Sequence, residues 1–439
     1  MAKYLSNIKL YDIHSSGRAI GSMGTGRIYV DGGIPGETTD LESDRRQRGF
    51  RYGKIINIVE QSPQRIQPFC QHCGICGGCL WQHYSYEAQL HWKREILLNA
   101  LRKYEIITPE VPAVTPSPLL QGYRNKSEYA FAAPDNLGFH EIERRDMVCN
   151  IEKCFLQPEV VHETAVIIKN AAKEQGLSFY DYFTRQSLLR SLQLRTTTTG
   201  QLLVWLVCAV DDVRIIPFLQ HLQQLLPKVN AWFYSIDRGE PIHVSGEQYL
   251  MERSGDLTFR YSASAFYQPN PLQAENIFHQ VRTYAALKGH ELVYDLYTGI
   301  GTLACHVARD ARMVIGVEGN ASAIADAQYN ASVNNLTNTR FLVGDILHTF
   351  KDDFIAAHGR PDVVILDPPR SGTLIEIKKT ILRAAPQKIV YVSCNPVSLA
   401  FDLKQLCEGY RVAAIQPFDM FPHTHYVETV ALLEKIQIL

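Results

Sequence analysis

The sequence predicts an α/β protein whose C-terminal part is a doubly wound parallel sheet and whose front half consists mainly of β-strands. From residue 263 onward, short apolar runs alternate with segments of helical periodicity, which is typical of parallel strands joined by right-handed crossovers. Before residue 263, β-branched and aromatic runs are separated by Gly, Pro and Asp turn signals. We therefore expect three domains: a small barrel over 1–66, a central β-rich domain over 67–262, and the α/β domain over 263–439.

The composition predicts a cytoplasmic protein with no membrane segment. The N-terminus lacks the apolar stretch of a secretory signal, and the longest apolar run, 202–210, is too short to span a bilayer and predicts a buried strand. The net charge of −1 does not favour nucleic-acid binding, although residues 1–130 hold 16 Lys and Arg against 12 Asp and Glu. Five basic residues cluster there and form either a solvated strand face or a nucleic-acid patch: Arg45, Arg46, Arg48, Arg51 and Lys54.

The first domain is predicted from two β-rich runs, 26–30 before the turn signal Asp31-Gly32-Gly33, and 50–60. Such strands suggest a small barrel of the kind that binds oligonucleotides on one face. In the second domain, the spacing of Leu90, Ile96, Leu97 and Leu101 predicts an amphipathic helix over 86–104, which could pack on the α/β domain. The rest of that region, 121–262, is predicted to be mostly β, with a hairpin turn at 196–199 before Gly200.

In the α/β domain, acidic residues lie at or next to the ends of the first three predicted strands. Asp295 precedes the glycines Gly299 and Gly301, Glu318 follows Gly299 by 19 positions, and Asp345 ends the third strand. Glycines at such a turn allow close backbone approach to a ligand, and a carboxylate on the next strand can bind ribose hydroxyls. Either a dinucleotide or S-adenosylmethionine would suit this pattern, but Asp295 would repel a pyrophosphate and attract an ammonium group. The alternative is that each acidic residue only caps a helix or closes a turn.

Three further segments are predicted to meet at the same edge of the sheet: 367–370 (DPPR), 393–396 (SCNP) and 423–428 (HTHYVE). A cysteine followed by Asn-Pro lies on an exposed loop, so Cys394 is a candidate nucleophile, and Glu428 is a candidate general base. A single buried cysteine would otherwise be structural.

These motifs resemble the RNA (uracil-5-)-methyltransferase family, and most of all its 23S ribosomal RNA members. The matching stretches are FYQPN (266–270), DLYTGIGT (295–302), DPPRSG (367–372), SCNP (393–396) and HTHYVET (423–429). Residues 33–37 and 62–65 also resemble a TRAM domain, a small RNA-binding barrel. The resemblance implies a class I, Rossmann-like methyltransferase domain that uses S-adenosylmethionine.

By this resemblance, the thiolate of Cys394 adds to uracil carbon 6, and Glu428 removes the carbon 5 proton after methyl transfer. Five residues are implied to contact the methyl donor or lie next to the target base: Gln268, Tyr297, Glu318, Asp345 and Asp367. The sequence departs from the family at Thr298, where Cys is common, and at Thr302, where Asn is common. Asn125 and Lys126 match a stretch that the family uses near RNA, although by themselves they predict only a polar turn.

Six of the ten cysteines lie between Cys70 and Cys154, which favours metal ligands over disulfides in a chain without a signal peptide. The spacing of Cys70, Cys73, Cys76 and Cys79 matches neither a bacterial ferredoxin nor a radical S-adenosylmethionine enzyme, and zinc remains an alternative. The family resemblance implies a structural 4Fe–4S cluster, with ligands Cys70, Cys76, Cys79 and Cys154. Cys73 and Cys149 are then alternative ligands or free thiols.

Three other functions fit the sequence less well than an RNA uracil methyltransferase does. A nitrogen-directed methyltransferase would need no Cys394 and would usually have an aromatic residue in place of Arg370. A non-catalytic RNA-binding iron–sulfur protein would not need the Cys394–Glu428 pair, and an NAD-dependent enzyme is disfavoured by Asp295 and by Ala304 in place of a third glycine. The expected partner is RNA, with 23S ribosomal RNA favoured over transfer RNA, and we expect no obligate protein partner.

Overall fold

The first five strands close into a barrel. The computed structural model describes residues 3–24, 26–47 and 50–437. The strands are β1 (Lys3–Ile13), β2 (Ala19–Met23), β3 (Gly26–Asp31), β4 (Thr38–Gln47) and β5 (Phe50–Glu60), and their order is β1-β2-β3-β5-β4. Leu10, Ile28, Val30 and Leu41 fill the interior. A Cβ on Gly33 would lie 2.4 Å from Leu10 Cδ1, so a larger residue there would displace the Leu10 side chain. The barrel predicted at the front of the chain is confirmed.

The predicted basic cluster of the barrel is only partly described. Arg51 and Lys54 lie on β5, where Lys54 is exposed. The side chains of Arg45 and Arg46, and Arg48 as a whole, lie outside the described residues.

A seven-stranded sheet follows a long helix, α1 (Tyr86–Lys103), which Ser85 caps by accepting a hydrogen bond from the Ala88 amide. The strands are β6 (Lys126–Ala132), β7 (Asn136–Glu141), β8 (Arg144–Asn150), β9 (Leu189–Thr196), β10 (Leu202–Cys208), β11 (Ala231–Ile236) and β12 (Ile242–Gly246). Their order is β12-β11-β10-β9-β6-β7-β8, and β9 and β10 form the predicted hairpin. Two helices that the sequence analysis did not predict, α2 (Glu159–Glu174) and α3 (Ile215–Leu225), cover one face of this sheet.

The C-terminal part contains a hairpin, β13 (Tyr249–Ser254) with β14 (Leu257–Ser262), and a second seven-stranded sheet. The strands of this sheet are β15 (Leu292–Leu296), β16 (Met313–Glu318), β17 (Thr339–Val343), β18 (Val363–Leu366), β19 (Lys388–Ser393), β20 (Tyr410–Phe418) and β21 (Glu428–Lys435). The helices are α4 (Pro271–Ala285), α5 (Thr302–Ala308), α6 (Ala321–Val333), α7 (Ile346–Thr349), α8 (Asp352–His358), α9 (Ile375–Ala384) and α10 (Pro396–Leu406).

The strand order in this sheet is β17-β16-β15-β18-β19-β21-β20, and the first five strands in sequence are parallel. The sequence predicted a parallel sheet throughout, but β21 runs antiparallel to both β19 and β20. This last hairpin matters because it returns the start of β21 to the carboxyl edge of the parallel strands.

Helices cover both faces of the second sheet, as the doubly wound prediction requires. Apolar side chains of α4, α5 and α6 pack on one face. On the other face, Leu97, Ala100 and Leu101 of α1 share a core with α9 and α10. Helix α1 therefore belongs to the layer that supports this sheet. Within the described ranges, no helix combines the length and the apolar character needed to cross a membrane.

Candidate active site

Five predicted site residues lie at one edge of the second sheet because parallel strands end on the same side. The strand order reverses between β15 and β18, and at such a point the loops of an α/β sheet leave a crevice that binds ligands. The residues follow or end successive strands: Tyr297 after β15, Glu318 at the end of β16, Asp345 after β17, Asp367 after β18 and Cys394 after β19.

Glu428 joins this edge through the antiparallel register of β21. Ser393, the last residue of β19, pairs with Thr429, so the next residues in the register, Cys394 and Glu428, come side by side. The neighbouring strand β20 ends at Phe418, which pairs with Glu428. The structure therefore brings together the two groups that the sequence analysis paired as nucleophile and base.

Three carboxyl groups at this edge have no cationic partner among the described residues. Asp295 is fully buried; its Oδ2 accepts hydrogen bonds from Thr298 Oγ1 at 2.5 Å and from the Ala304 amide at 3.1 Å, while its Oδ1 has no partner. Burial raises the pKa of Asp295 to about 7, and burial together with Asp295 raises that of Asp367 to about 7. Burial, and then Asp367, raises the pKa of Glu428 well above its usual range. A cationic ligand in this crevice would stabilise the ionised forms.

The Cys394 thiol is half-buried beside these acids. Burial, and then the nearby charges of Glu428 and Asp367, raises its pKa to about 12, whereas Arg370 opposes the shift. The Arg370 guanidinium lies 4.3 Å from the centre of the Tyr426 ring, and its carbonyl accepts a hydrogen bond from Asn395 Nδ2 at 3.0 Å. The loops that contain Cys394 and Asp367 are thus joined, and the nearest cation favours the thiolate.

The turn after β15 fits the methyl donor that the motif predicted. Tyr297 and Gly301 both have positive φ, and a Cβ on Gly301 would lie 3.0 Å from Ala327 Cβ and Phe341 Cζ. Such a tight turn needs glycine and lets the backbone approach a ligand. The Gly299 amide donates to Glu318 Oε2 at 3.3 Å. This hydrogen bond joins the turn to the carboxylate that we expect to bind the ribose. The unpaired Oδ1 of Asp295 is a buried acceptor suited to an ammonium group, directly or through water.

Two of the predicted cofactor residues have other contacts in this structure. Asp345 caps α7, because its Oδ1 accepts hydrogen bonds from the amides of Leu347 at 2.9 Å and His348 at 3.3 Å. The helix-cap alternative considered from the sequence therefore describes what Asp345 does here. Gln268 lies on a separate segment before α4, where its carbonyl accepts from Asn125 Nδ2 at 3.1 Å.

The cysteine-rich segment pairs with the end of β7 in the first seven-stranded sheet, where the amides of Gly77 and Ile142 donate to the carbonyls of His140 and Ile75. Across residues 3–24, 26–47 and 50–437, no group of three or more His, Cys, Asp or Glu side chains is arranged to hold a metal ion. The predicted ligand thiols nevertheless share one neighbourhood. Burial raises the pKa of Cys76 to about 12, with further contributions from Cys154, Cys149 and Cys70. Burial also raises the pKa of Cys79, with contributions from Cys154, Cys76 and Cys70.

Two buried lysine–aspartate pairs near the site were not predicted. Lys93 of α1 binds Asp419, and Lys378 of α9 binds Asp402. All four side chains are at most 2% exposed. A signal for Lys93 was present, because it lies on the buried stripe of α1 between Gln89 and Leu97, where a lysine needs a partner.

Comparison with known proteins agrees with these observations. Residues 236–346 and 351–436 match a family described as tRNA (uracil-5-)-methyltransferase. The chain is 37% identical to an uncharacterized RNA methyltransferase of Bacteroides thetaiotaomicron over 96% of this chain and 99% of that protein. A second RNA methyltransferase, from Porphyromonas gingivalis, is also 37% identical, over 98% and 99% of the two chains.

A solved structure extends the likeness to the whole fold. The tRNA (uracil-54, C5)-methyltransferase of Pyrococcus abyssi, in complex with S-adenosyl-L-homocysteine, is 28% identical and superimposes with a TM-score of 0.79 over 99% of this chain and 100% of that chain. The sequence identity over nearly the full length, together with the site at the sheet edge, shows that the chain belongs to the RNA (uracil-5-)-methyltransferase family.

Proposed function

We propose that this protein transfers a methyl group from S-adenosylmethionine to carbon 5 of a uridine in RNA through a covalent adduct on Cys394. The observation that supports it most is the register of β19 and β21, which brings Cys394 beside Glu428 at the carboxyl edge of the sheet. A nucleophile and a base are the two groups that this reaction requires of the protein.

The chemistry follows from the weak nucleophilicity of uracil carbon 5. The Cys394 sulfur forms a bond to carbon 6, which turns the ring into an enolate, and carbon 5 then takes the methyl group. Glu428 next accepts the carbon 5 proton; the electrons of that C–H bond form the C5=C6 double bond, and the C6–S bond breaks to release the thiolate. S-adenosylmethionine supplies the methyl group and brings cationic charge to the crevice.

The residues around this pair have separate roles in the proposal. Asp367 lies between the donor site and the target base, while Asp295 holds the ammonium group. Tyr297, Glu318, Asp345 and Gln268 are proposed contacts of the donor or the base. Burial and neighbouring acids raise the pKa values of Glu428 and Cys394, and the cationic charge of the donor would favour their ionised forms.

The proposed reaction has two candidate RNA substrates. The motifs most resemble the 23S ribosomal RNA enzymes, which makes 23S RNA our first choice. Transfer RNA is the second, because the Pyrococcus abyssi protein that superimposes over the full length is a tRNA (uracil-54, C5)-methyltransferase.

The test is methyl transfer from labelled S-adenosylmethionine to total RNA from a strain that lacks this gene. Nucleoside mass spectrometry identifies the product, and size fractionation identifies the RNA. We expect 5-methyluridine in 23S RNA. The same nucleoside in transfer RNA would move the proposal to the second substrate, and another labelled nucleoside would contradict the proposed reaction.

A Glu428→Gln variant tests the assignment of the base. Removal of the carbon 5 proton stops, so an RNA–protein adduct that survives denaturation should accumulate when RNA and the donor are both present. Glu434→Gln, on the same strand but partly exposed and paired with Arg411, is the matched control and should turn over normally. If the Glu428 variant forms no adduct, Glu428 is not the base.

We further propose that Cys70, Cys76, Cys79 and Cys154 hold a 4Fe–4S cluster. Four thiols are the donor set that such a cluster takes, and their mutual effect on pKa supports a shared site. The cluster would join the 70–79 segment to residue 154 and would have no part in methyl transfer. Iron and sulfide analysis of anaerobically purified protein, with Cys154→Ala and Cys407→Ala compared, tests this; stoichiometric zinc without sulfide would contradict it.

A further inference from the structure

The base candidate Glu428 has no hydrogen bond to its carboxyl group within the described part of the chain, so its position depends on the backbone that leads to it. That backbone is the connection between β20 and β21, residues 419–427, which we call the base segment. His423 within it has a φ of +67°, in the left-handed region that residues other than glycine adopt uncommonly. Such a conformation persists where the surrounding structure holds it.

Helix α1 supplies those contacts. Lys93 Nζ donates to Asp419 Oδ1 and, at 2.9 Å, to the carbonyl of Phe421. Tyr86 Oη donates to Asp419 Oδ2 at 2.9 Å. One turn away from Lys93, Gln89 Oε1 accepts from the His423 amide at 2.7 Å.

Asp419 is placed where this ion pair can act on the base. It directly follows Phe418, the residue that pairs with Glu428, and its amide donates to the carbonyl of Thr115 at 2.9 Å. The Lys93 ammonium therefore joins the first residue of the base segment to a carbonyl two residues further on. Because Lys93 and Asp419 are both fully buried, water cannot replace either partner.

We propose that the buried Lys93–Asp419 pair is a positioning device that holds the base segment, and through it Glu428, in the geometry needed to remove the carbon 5 proton. This rests on the proposed function. Lys93 touches neither substrate nor donor, and its effect passes through the backbone of 419–427. The pair thereby makes the elimination half of the reaction depend on α1, a helix that precedes the first seven-stranded sheet in the chain and packs on the second.

The test replaces both charges together, because one charge alone would remain buried and could prevent folding. The variant is Lys93→Met with Asp419→Asn, in which Asn can still accept from Tyr86. The matched control is Lys378→Met with Asp402→Asn, which removes the other buried pair from the same domain. Hydrogen exchange of peptides covering 419–427 is measured first, without RNA or donor.

We expect faster exchange across 419–427 in the Lys93/Asp419 variant and parent-like exchange there in the control. In turnover, kcat should fall about 10- to 100-fold, the cost of a small misplacement of a reacting group. The KM for RNA should fall together with kcat, because slowing a step after the irreversible methyl transfer leaves kcat/KM unchanged. The denaturation-resistant adduct should rise as a fraction of the enzyme, because elimination becomes slow.

Unchanged exchange across 419–427 would overturn the proposal, and so would a parent-like kcat. A fall in kcat without adduct accumulation would also overturn it, because the defect would then precede elimination. If the parent enzyme itself makes no 5-methyluridine, the proposed function fails instead, while the exchange comparison still decides whether the pair holds the segment.

Discussion

The methyltransferase domain contains two kinds of buried acidic side chain. Asp402 and Asp419 are each paired with a buried lysine. Asp295 and Glu428 are buried, Asp367 is partly buried, none of the three has a cationic partner among the described residues, and their pKa values are raised. Burying an unpaired carboxylate costs free energy, so a site that keeps three of them close together gives up stability for some other purpose.

Their positions explain the difference. The paired acids lie behind the loops of the site: Asp402 accepts from the Thr373 amide at 2.8 Å and from Tyr391 Oη at 2.5 Å, and so supports the loop that follows Asp367. The unpaired acids lie at the edge of the sheet where we expect the cationic methyl donor and the target uracil to bind. Paired acids thus support the loops, and we propose that the unpaired acids serve ligand binding and proton transfer.

The largest effect is expected at the thiol beside the unpaired acids. Cys394→Ala should lower methyl transfer at least ~1000-fold, because no other group can add to carbon 6. Donor binding, measured by calorimetry, should remain. Cys407→Ala is the control, a half-buried thiol at the end of α10 that should be dispensable. Retained turnover in the Cys394 variant would exclude the covalent mechanism.

Breaking a paired acid should lower stability instead. Lys378→Met leaves Asp402 buried and unpaired, which we expect to cost about 3–5 kcal/mol of unfolding free energy. Arg383→Ala, on the same helix, removes a pair whose partners are 52% and 67% exposed and should cost less than about 1 kcal/mol. Urea denaturation compares them; equal losses would contradict the distinction between buried and surface pairs.

Removing an unpaired acid should change the pH dependence of stability. The folded-state pKa of Asp295 is raised from 3.8 to about 7, so the folded protein binds an extra proton between these values and loses stability as the pH rises through that range. Asp295→Asn should lessen this loss, seen as a flatter melting temperature between about pH 4 and pH 7. The same variant should bind the donor about tenfold more weakly. An unchanged slope would show that Asp295 does not titrate there.

How much of the fold and of the site could be predicted from the sequence depends on how far apart the interacting residues lie along the chain. The positions of Glu318 at the end of β16 and of Cys394 just after β19 agree with the sequence, because each strand is a short apolar run followed by a motif. The antiparallel return through β20 was missed, since nothing local in 410–418 fixes its direction. Lys93 and Asp419 are 326 positions apart, and only tertiary packing joins them.

The central region shows a different limit. Helices α2 and α3 lie in a part predicted to be mostly β, where the alternation of β9 and β10 dominated the interpretation. Both helices have an apolar stripe that packs on the sheet, so period 3.6 was present in the sequence and was overlooked. The choice among Cys70, Cys73, Cys76 and Cys149 as ligands is harder, because spacing alone allows several sets.

The smallest expected effect concerns Asp345, an exposed acid that is neither paired with a buried lysine nor one of the three unpaired acids. It separates a role as a helix cap from a role in binding the donor. It caps α7 through the amides of Leu347 and His348. Asparagine caps a helix as well as aspartate does, so Asp345→Asn should leave the melting temperature unchanged, whereas Asp345→Ala should cost about 1 kcal/mol. If the carboxylate also accepts a hydrogen bond from the donor's adenine, both variants should bind the donor a few-fold more weakly, because the amide oxygen is a poorer acceptor. Donor affinity that falls only in the Ala variant would assign Asp345 to the helix alone, and the set of acids kept for ligands would then be confined to the buried edge.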